Sequence, residues 1–435
     1  MPDLRHASGH LMIVPAVLFL FLSGAEGQSG PALASDSLHL EDVIKAVVEH
    51  NDFVAAARYM EKASNLKIGP SGAWDDPMIM AGVQNLPTSF DFRADEMTMK
   101  MIGISQSIPY AGQKGLLAKA ARADAEASRE GTRGTETNLV TAAKYAYYEF
   151  YYTQQILDYT NSQLQIQQDV VKSATAKLRS DQASQADVLT AQANLWRLES
   201  DVLNTQQAIE AAENNLLSLM GREPGEKLPP LAAPEARQIP AVAEEWFDKA
   251  KEHYPELKRL ERQSRSYAFQ AASAQRMRWP MLSVAGSYGF REDTPDMRRD
   301  DMISLQVNLS IPVFSGRQQG RMAQSMEAMR RGAEAEANQL WRDTKANLQT
   351  LHSRATRLRQ SLDIYRERII PADEEAYRSA YTGYSANRVP FINLLTYAMN
   401  IYRDRIDASQ IEHELSRTLA EAEQYTTNPL TWTDR

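Results

Sequence analysis

Methionines at alternate positions are the residues whose type and spacing most suggest chemistry. Met78 and Met80 form one pair, and Met97, Met99 and Met101 form a second set, here called the thioether series. Thioether sulfurs suit soft ions such as Cu(I) or Ag(I), and a spacing of two places side chains on one face of a strand. Methionine also fills irregular interiors. The sequence therefore leaves metal binding and simple packing both open.

Motifs for catalysis are missing from the sequence. None of the seven histidines is paired at metal-ligand spacing, and without cysteine there is no thiolate nucleophile, disulfide or Cys-ligated zinc. No nucleophile elbow, zinc-protease motif or phosphate-binding glycine loop occurs, since the stretch GREPGEK has the wrong spacing. We therefore expect neither enzymatic activity nor a cofactor.

Composition narrows the class of protein. Hydrophobic residues make up 43% and charged residues 24% of the 435-residue chain, which is an ordinary balance for a folded protein. The net charge of −8 gives no electrostatic support to a nucleic-acid partner. A folded chain that does not bind nucleic acid is therefore expected.

The N-terminal residues predict an export signal. Arg5 precedes an apolar run from Leu11 to Leu22, and small residues follow it. That run is shorter than the roughly 20 residues of a membrane-spanning helix and fits the apolar core of a secretory signal peptide. We place the signal peptide at 1–25, with cleavage possible as late as 34.

The two halves of the chain resemble each other. Pro77-Met78 recurs as Pro280-Met281, and Pro109 recurs as Pro312 at the same offset. Such ordered similarity predicts two copies of a unit of roughly 200 residues. We place a first repeat, a proline-rich linker, a second repeat and a C-terminal tail at 36–220, 221–240, 241–425 and 426–435.

Each repeat has the same predicted order of elements, namely short helices, two strands, and a long helix that turns back as a second helix. The strands are predicted at 78–85, 97–108, 281–290 and 302–311, and the helical hairpins at about 113–220 and 316–425. Apolar residues alternating at spacings of three and four predict coiled-coil packing of these helices. The proline-free run 113–179 would extend about 100 Å as one helix, which is a spanning element rather than the wall of a compact pocket.

The strands carry an unusual two-sided pattern. From Ile303 to Ile311 every second residue is aliphatic and every residue between is polar. A tilted transmembrane β-strand needs about 9–11 such residues, although a soluble hairpin packed on helices would alternate in the same way. Open sheet edges cannot lie in lipid. If these strands cross a membrane, several chains must therefore share one closed barrel.

The chain as a whole resembles the TolC-type outer-membrane efflux protein family. The tandem repeat, the junctions SIPYAGQKG and SIPVFSGRQQG, and the stretch SQADVLTAQANL carry the resemblance over nearly all of the mature chain. It implies a mainly α fold with membrane β-strands, built from duplicated coiled-coil hairpins and four transmembrane strands per chain. Three chains would form a 12-stranded barrel and an α-helical periplasmic tunnel. The strand-to-helix junction positions are Pro109, Gly112, Pro312 and Gly316.

The resemblance also implies a function. The chain would be the outer-membrane channel of a tripartite efflux pump in a Gram-negative bacterium, conducting substrates passively to the exterior. Its partners would be two further copies of itself, outer-membrane lipid, a periplasmic adaptor (a membrane fusion protein) and an inner-membrane pump of the resistance-nodulation-division type. DPMIMAGVQNLPTSF and MTMKM are most similar to the heavy-metal branch, whose common N-terminal lipidated cysteine is absent here. Two alternatives are a soluble periplasmic coiled-coil adaptor or tether and a conduit for type I protein secretion.

The breaks between the long helices would be periplasmic tips that meet the adaptor. Ser184 is placed to cap the returning helix with Asp187 three residues later, and Gly383 can supply the positive φ of a tight break. The predicted docking residues are Ser184, Asp187, Gly383, Arg388 and Asn393.

The family often narrows its tunnel entrance with aspartates. The aligned positions fall near Asn393 and Thr396, neither of which is acidic, and Arg388 nearby predicts the opposite charge. By the repeat offset, Met101 corresponds to Ser304 on the polar side of its strand. The thioether series is therefore predicted to face the lumen.

Overall fold

The computed structural model describes residues 37–295 and 297–427. The predicted signal peptide and all but two residues of the predicted tail lie outside the described residues. Within them the chain is mainly helical, and it contains a four-stranded sheet.

The elements follow the same order in the two repeats. The first repeat contains α1 (Leu40–His50), α2 (Asp52–Leu66), α3 (Ile68–Gly72), β1 (Met78–Gln84), β2 (Met99–Ile108), α4 (Gln113–Arg179) and α5 (Gln185–Leu219). The second contains α6 (Glu244–His253), α7 (Pro255–Arg276), β3 (Met281–Phe290), β4 (Met302–Ser310), α8 (Gln319–Ile364), α9 (Ile370–Ser385) and α10 (Phe391–Thr426). A π-turn at Tyr365–Ile369 separates α8 from α9.

β3 has the predicted bounds, and the other three strands are one or two residues shorter than predicted. β1 ends before Asn85, whose φ of 55° turns the backbone out of the sheet. The backbone N–H of Met97 donates to Asp95 Oδ1 at 2.7 Å. Met97 therefore belongs to the loop, and β2 begins at Met99. β4 ends one residue before the predicted Ile311.

The sheet joins the two repeats edge to edge. Its order is β1-β2-β3-β4, and each neighbouring pair is antiparallel. The central pair β2–β3 unites a strand of the first repeat with a strand of the second. β1 and β4 are the edge strands of this sheet.

The helices continue the sheet in the same order. α3 leads into β1, β2 into α4, α7 into β3, and β4 into α8. α3 packs on α4, α4 on α7, and α7 on α8. Strands and helices therefore form one continuous wall, which explains why each repeat places its strand pair between helices.

The predicted seams of the helical hairpins face inward. The predicted seam of α5 has ten positions from Val188 to Leu219 at spacings of three and four. Five of them are half-buried and five are buried, namely Val188, Ala191, Leu198, Ala212 and Leu216. Near the hairpin tips, buried residues of both repeats share one small core, which includes Val170, Ala174, Val188, Ala191, Ala380, Tyr384, Phe391, Leu394 and Leu395. The many alanines in this core allow close approach of the helix backbones.

The predicted long helix of the second repeat is interrupted, which the sequence reasoning did not anticipate. Pro371 lacks a backbone N–H, so the carbonyl of Glu367 loses its helical donor. The N–H of Ile370 bonds instead to the carbonyl of Tyr365, five residues earlier. The extra residue of this π-turn absorbs the missing donor. The hairpin also begins at Gln319 rather than at 316, because residues 313–318 form turns.

Candidate functional site

One face of the sheet is largely apolar across all four strands, with Lys100 and Gln106 of β2 as polar exceptions near the two ends of that strand. In register it carries Ile79, Ala81, Val83, Ile102, Ile104, Leu282, Val284, Tyr288, Ile303, Leu305, Val307 and Leu309. Ile303 and Leu305 are 82% and 78% exposed. Among the described residues nothing covers this face. Such a contiguous apolar patch marks a surface that contacts lipid or protein.

The opposite face is small, polar or thioether in character. It carries Met78, Met80, Gly82, Gln84, Met99, Met101, Gly103, Ser105, Ser107, Ser283, Ala285, Ser287, Gly289, Met302, Ser304, Gln306 and Asn308. This face suits contact with water, and its short side chains leave space in front of the sheet.

The thioether series is divided by the structure. Met99 and Met101 lie on the polar face, whereas Met97 lies in the loop before β2. Met99 is buried, and its Sδ lies 2.5 Å from where a Cβ would stand on Gly289. Glycine at that position therefore makes room for the thioether.

The loops at the far end of the sheet form a charged cluster. Glu292 accepts a hydrogen bond from Lys100 Nζ at 2.7 Å, and Arg93 Nε lies 3.6 Å from it. Arg299 Nη1 donates to the carbonyl of Asp95 at 3.1 Å, which ties the two loops together. This end of the sheet is suited to water.

Aromatic side chains gather at the helix end of the sheet. Tyr110 stacks on Trp279 with ring centroids 5.6 Å apart. Trp74 and Phe314 are exposed at the same level. Aromatic rings in this position are typical of a membrane–water interface.

The two strand-to-helix junctions differ in conformation although their sequences are similar. Gly112 has a φ of 84° and directly precedes α4, so a side chain there would be strained. Gly316 has space around it and lies within the turns that precede α8. Pro109 and Pro312 each follow the end of a strand, where the lack of an N–H does not disturb sheet pairing.

The tip of the first hairpin has the predicted cap. Ser184 Oγ accepts the backbone N–H of Asp187, and Asp187 Oδ2 accepts that of Ser184, both at 3.1 Å. This capping box starts α5. Asp181, with a φ of 60°, makes the turn that ends α4.

The prediction that Gly383 supplies the positive φ of the second tip is wrong. Gly383 lies inside α9, and the left-handed residue is Asn387 with a φ of 58°. A Cβ on Gly383 would come within 2.5 Å of Val389 Cγ2. The glycine is therefore needed for close packing of the turn.

The two tips share one hydrogen-bond pattern. The N–H of Gln182 bonds to the carbonyl of Lys177, and that of Arg388 bonds to the carbonyl of Gly383, both at 2.8 Å. Each is the six-residue closure of a Schellman motif around a left-handed Asp or Asn. The tandem repeat therefore extends to the detail of the turns.

Side chains also connect the two tips, and we call this set the tip contact. Lys177 Nζ donates to the carbonyl of Tyr384 and, at 2.5 Å, to Asn387 Oδ1. It also lies 3.9 Å from the centre of the Tyr384 ring. Asn387 Nδ2 donates to Gln182 Oε1 at 3.1 Å. Sequence reasoning missed Lys177 because nothing distinguishes it from other helix-surface lysines.

The remaining predicted tip residues lie at the surface. Arg388, Asn393 and Thr396 are exposed around the start of α10. No acidic side chain occurs between Ser385 and Thr396, so this end of α10 carries a positive rather than a negative charge.

A buried lysine joins the repeats farther from the tips. Lys144 of α4 is 3% exposed, and its Nζ lies 2.6 Å from Glu423 Oε2 of α10. Arg237 of the linker lies 2.7 Å from the same oxygen. Burial lowers the pKa of Lys144, and Glu423 opposes that shift.

Two further features of residues 37–295 and 297–427 bear on function. None of the helices in these ranges is long and apolar enough to cross a membrane. Nor do these ranges contain three His, Asp or Glu side chains arranged to hold a metal ion.

This architecture is shared with known proteins. Residues 43–222 match the family model described as outer membrane efflux protein. The chain is 24% identical over 214 residues to the outer membrane efflux protein BepC of Brucella suis biovar 1 (strain 1330). That match covers 48% of this chain and 46% of BepC, so it spans about half of the relative's length.

Solved structures share the fold over most of the chain. One is CusC, whose structures describe folding and transmembrane channel formation. It has a TM-score of 0.76 with this chain at 14% identity, and the match covers 89% of this chain and 92% of CusC. The open state of the MtrE outer membrane channel of Neisseria gonorrhoeae has a TM-score of 0.73 at 14% identity, covering 90% and 89%.

Proposed function

We infer that this chain, whose residues 43–222 match the outer membrane efflux protein family, is a TolC-type protein and the outer-membrane channel of a tripartite efflux pump. It conducts substrates passively from an inner-membrane transporter and a periplasmic adaptor to the exterior. A channel role is consistent with the expectation that the chain is not an enzyme.

The observation that carries this proposal is the sheet with one apolar face and two open edges. An edge strand presents unpaired backbone groups, which lipid cannot satisfy. β1 of one chain therefore pairs with β4 of the next until the sheet closes. The apolar face then contacts lipid, and the polar face lines a water-filled lumen.

Three chains complete the cylinder in this proposal. Four strands from each give 12, which lies within the range of known outer-membrane barrels. The helical wall continues the barrel as a tunnel into the periplasm, because α3, α4, α7 and α8 follow the strand order. The protein is therefore placed in the outer membrane of a Gram-negative bacterium.

The helix tips are the proposed docking surface for the adaptor. Four of the predicted residues lie at or beside the two turns. Ser184, Arg388 and Asn393 are exposed, and Asp187 is half-buried. Their turns are fixed by caps and Schellman motifs. A rigid, exposed pair of turns suits docking of a helical adaptor. The adaptor in turn connects the channel to an inner-membrane pump of the resistance-nodulation-division type.

Soft-ion binding by the thioether series is a narrower proposal. Met99 and Met101 share the polar face proposed to line the lumen. Their sulfurs suit Cu(I) or Ag(I), which would place the chain in a metal-efflux system.

The experiment that tests the channel role combines fractionation with conductance. Full-length protein is expressed with its signal, and membranes are washed with salt before native mass spectrometry and planar-bilayer recording. We expect the protein to stay in the outer-membrane pellet, to have the mass of three chains, and to conduct ions.

Other outcomes would select the alternatives. Release of a soluble monomer by the salt wash would establish the periplasmic adaptor or tether and overturn the channel. A conducting oligomer whose loss blocks protein export but not drug or metal tolerance would establish the type I secretion conduit.

A further inference from the structure

Three methionine side chains line one cavity in the helical wall, and we call them the wall methionines. Met277 directly follows α7, and Met322 and Met326 lie near the start of α8. The cavity measures about 280 Å³, and residues of α3 and α4 complete its lining. The wall methionines are distinct from the thioether series, which lies on the sheet and in the loop before β2.

The positions of the wall methionines let their sulfurs converge. Met322 and Met326 are four residues apart on one helix, which puts their Cβ atoms on the same face about 5–6 Å apart. α7 packs against α8, and Met277 reaches the same cavity from the end of that neighbouring helix. A methionine side chain has three rotatable bonds and adapts to irregular space. Three thioethers can therefore surround a single ion in this cavity.

The wall methionines are also accessible from solvent. Met322 and Met277 are 50% and 39% exposed, and Met326 is half-buried. Methionines that only fill gaps in a core would be covered, because protein interiors are close-packed. An ion in solution can thus reach the sulfurs without any opening of the fold.

Two oxygen-bearing side chains line the same cavity. Ser273 lies one turn before Met277 and is 1% exposed, and its Oγ has no hydrogen-bond partner among the described residues. Buried hydroxyls normally have a partner, so one that lacks a protein partner marks a place for water or an ion. Asp124 of α4 is half-buried in this lining. Its carboxylate can offset the charge of a cation held by neutral sulfurs.

The first repeat indicates that the fold does not need sulfur at these positions. Aligned at the final glycine of SIPYAGQKG and SIPVFSGRQQG, Leu117 of α4 corresponds to Met322 of α8. By the same alignment, Ala121 corresponds to Met326. Leu117 and Ala121 line the same cavity from α4. Equivalent positions are therefore filled by ordinary apolar side chains in one repeat and by thioethers in the other.

We propose that the wall methionines form a binding site for a soft monovalent metal ion, Cu(I) or Ag(I). Thioethers select soft ions, whereas Mg²⁺ and Ca²⁺ prefer oxygen ligands. Met277, Met322 and Met326 supply the sulfur ligands, and Asp124 balances the charge. The site goes beyond the proposed channel role, because an ion can bind there whether or not the protein conducts.

Silver titration of the full-length protein in detergent tests this site. The starting protein has leucine at the three positions of the thioether series, so that any binding there is removed beforehand. Ag(I) is added in chloride-free buffer, since it needs no reductant to stay monovalent. Calorimetry measures its affinity and stoichiometry, and X-ray absorption at the silver edge counts its sulfur neighbours. The unmodified protein is titrated in parallel, and every variant is checked for its oligomer mass.

We expect one Ag(I) per chain, bound through three sulfurs. Met322→Leu should weaken the affinity at least about tenfold, since the loss of even an outer partner of a metal site costs about 10–100-fold. Met322→Leu combined with Met326→Leu should abolish tight binding. Leucine conserves the volume of methionine, so these variants should keep their fold.

The matched control is Met329→Leu. Met329 is an exposed methionine of the same helix that does not line the cavity. This variant should bind Ag(I) like the starting protein. A ligand held only by apolar contact would not distinguish methionine from leucine, so the comparison isolates the role of sulfur.

Two results would overturn the proposal. One is equal Ag(I) binding by the starting protein and by the variant that combines Met322→Leu with Met326→Leu. The other is a silver absorption spectrum with oxygen or nitrogen neighbours only. Neither result depends on conductance, so failure of the metal site and failure of the channel role are separable.

Discussion

Replacing Lys177 tests whether the tip contact keeps the two hairpins together. Lys177→Met keeps the length of the side chain but removes its charge and both hydrogen bonds to the second tip. The fraction of molecules in which the two tips are joined should therefore fall. The proposed channel should then spend more time open in the absence of an adaptor.

The size of the effect follows from the contacts. A hydrogen bond from a charged group contributes about 1.5–3 kcal/mol, and a cation–π contact at an exposed site about 0.5–1 kcal/mol. Asn387 is exposed, and water competes for the ammonium there. We therefore expect a net loss of about 2 kcal/mol per chain. That corresponds to about a 30-fold change in the ratio of separated to joined tips.

Planar-bilayer recording at constant pH measures this ratio as the fraction of time in the high-conductance state. The matched control is Lys172→Met, since Lys172 lies on the same helix and pairs with Asp169 in an exposed i,i+3 arrangement. Such surface pairs contribute little, so the control should conduct like the unmodified protein.

A second variant predicts the opposite sign. Asn387→Asp retains a residue that tolerates the left-handed conformation and places a carboxylate against Lys177. It should lower the open fraction. If Lys177→Met and Lys172→Met conduct identically, or if Asn387→Asp opens the tips, the tip contact does not hold the hairpins together.

Three further changes have defined outcomes. Gly383→Ala forces a methyl into the turn and should lower the stability of the oligomer by about 2 kcal/mol in thermal unfolding. The control Gly332→Ala lies in open space on α8 and should raise the stability by about 0.5–1 kcal/mol. Equal melting temperatures of the two variants would contradict the packing role of Gly383. Glu423→Gln leaves Lys144 buried beside a neutral partner and should cost about 3 kcal/mol, so unchanged denaturant unfolding would show that the pair is not needed. Leucine in place of all three residues of the thioether series should reduce tolerance to silver or copper with oligomers intact, and unchanged tolerance would end the soft-ion proposal.

The two-sided strands were predictable from the sequence because their pattern has a period of two and needs no partner to be recognised. The same is true of the cap at Ser184, where the interacting residues are only three positions apart. Features of this kind are encoded over a few neighbouring residues.

Features that depend on distant contacts were not predictable. Gly383 looked like the left-handed residue of its turn because glycine favours that conformation. The structure uses its small size instead, and Asn387 takes the left-handed conformation. The π-turn was hidden for a related reason. Tyr365 and Ile369 continue the spacing of the apolar seam, so the hydrophobic pattern carries no sign of the extra residue.

The polar face of the sheet sets a limit on what can pass through the proposed barrel. Strands about 4.8 Å apart and tilted by about 40° each occupy about 6 Å of circumference, so the 12 strands of the proposed barrel enclose a backbone cylinder about 24 Å across. The shortest side chains of this face, which are glycine, serine and alanine, project only a few ångströms inward, so the bore is at most about 15 Å. The methionines of the same face narrow it further. A folded domain of about 100 residues has a radius of gyration near 13 Å and therefore a diameter of more than about 26 Å, which exceeds that bore. Cargo must therefore be small, or extended and threaded.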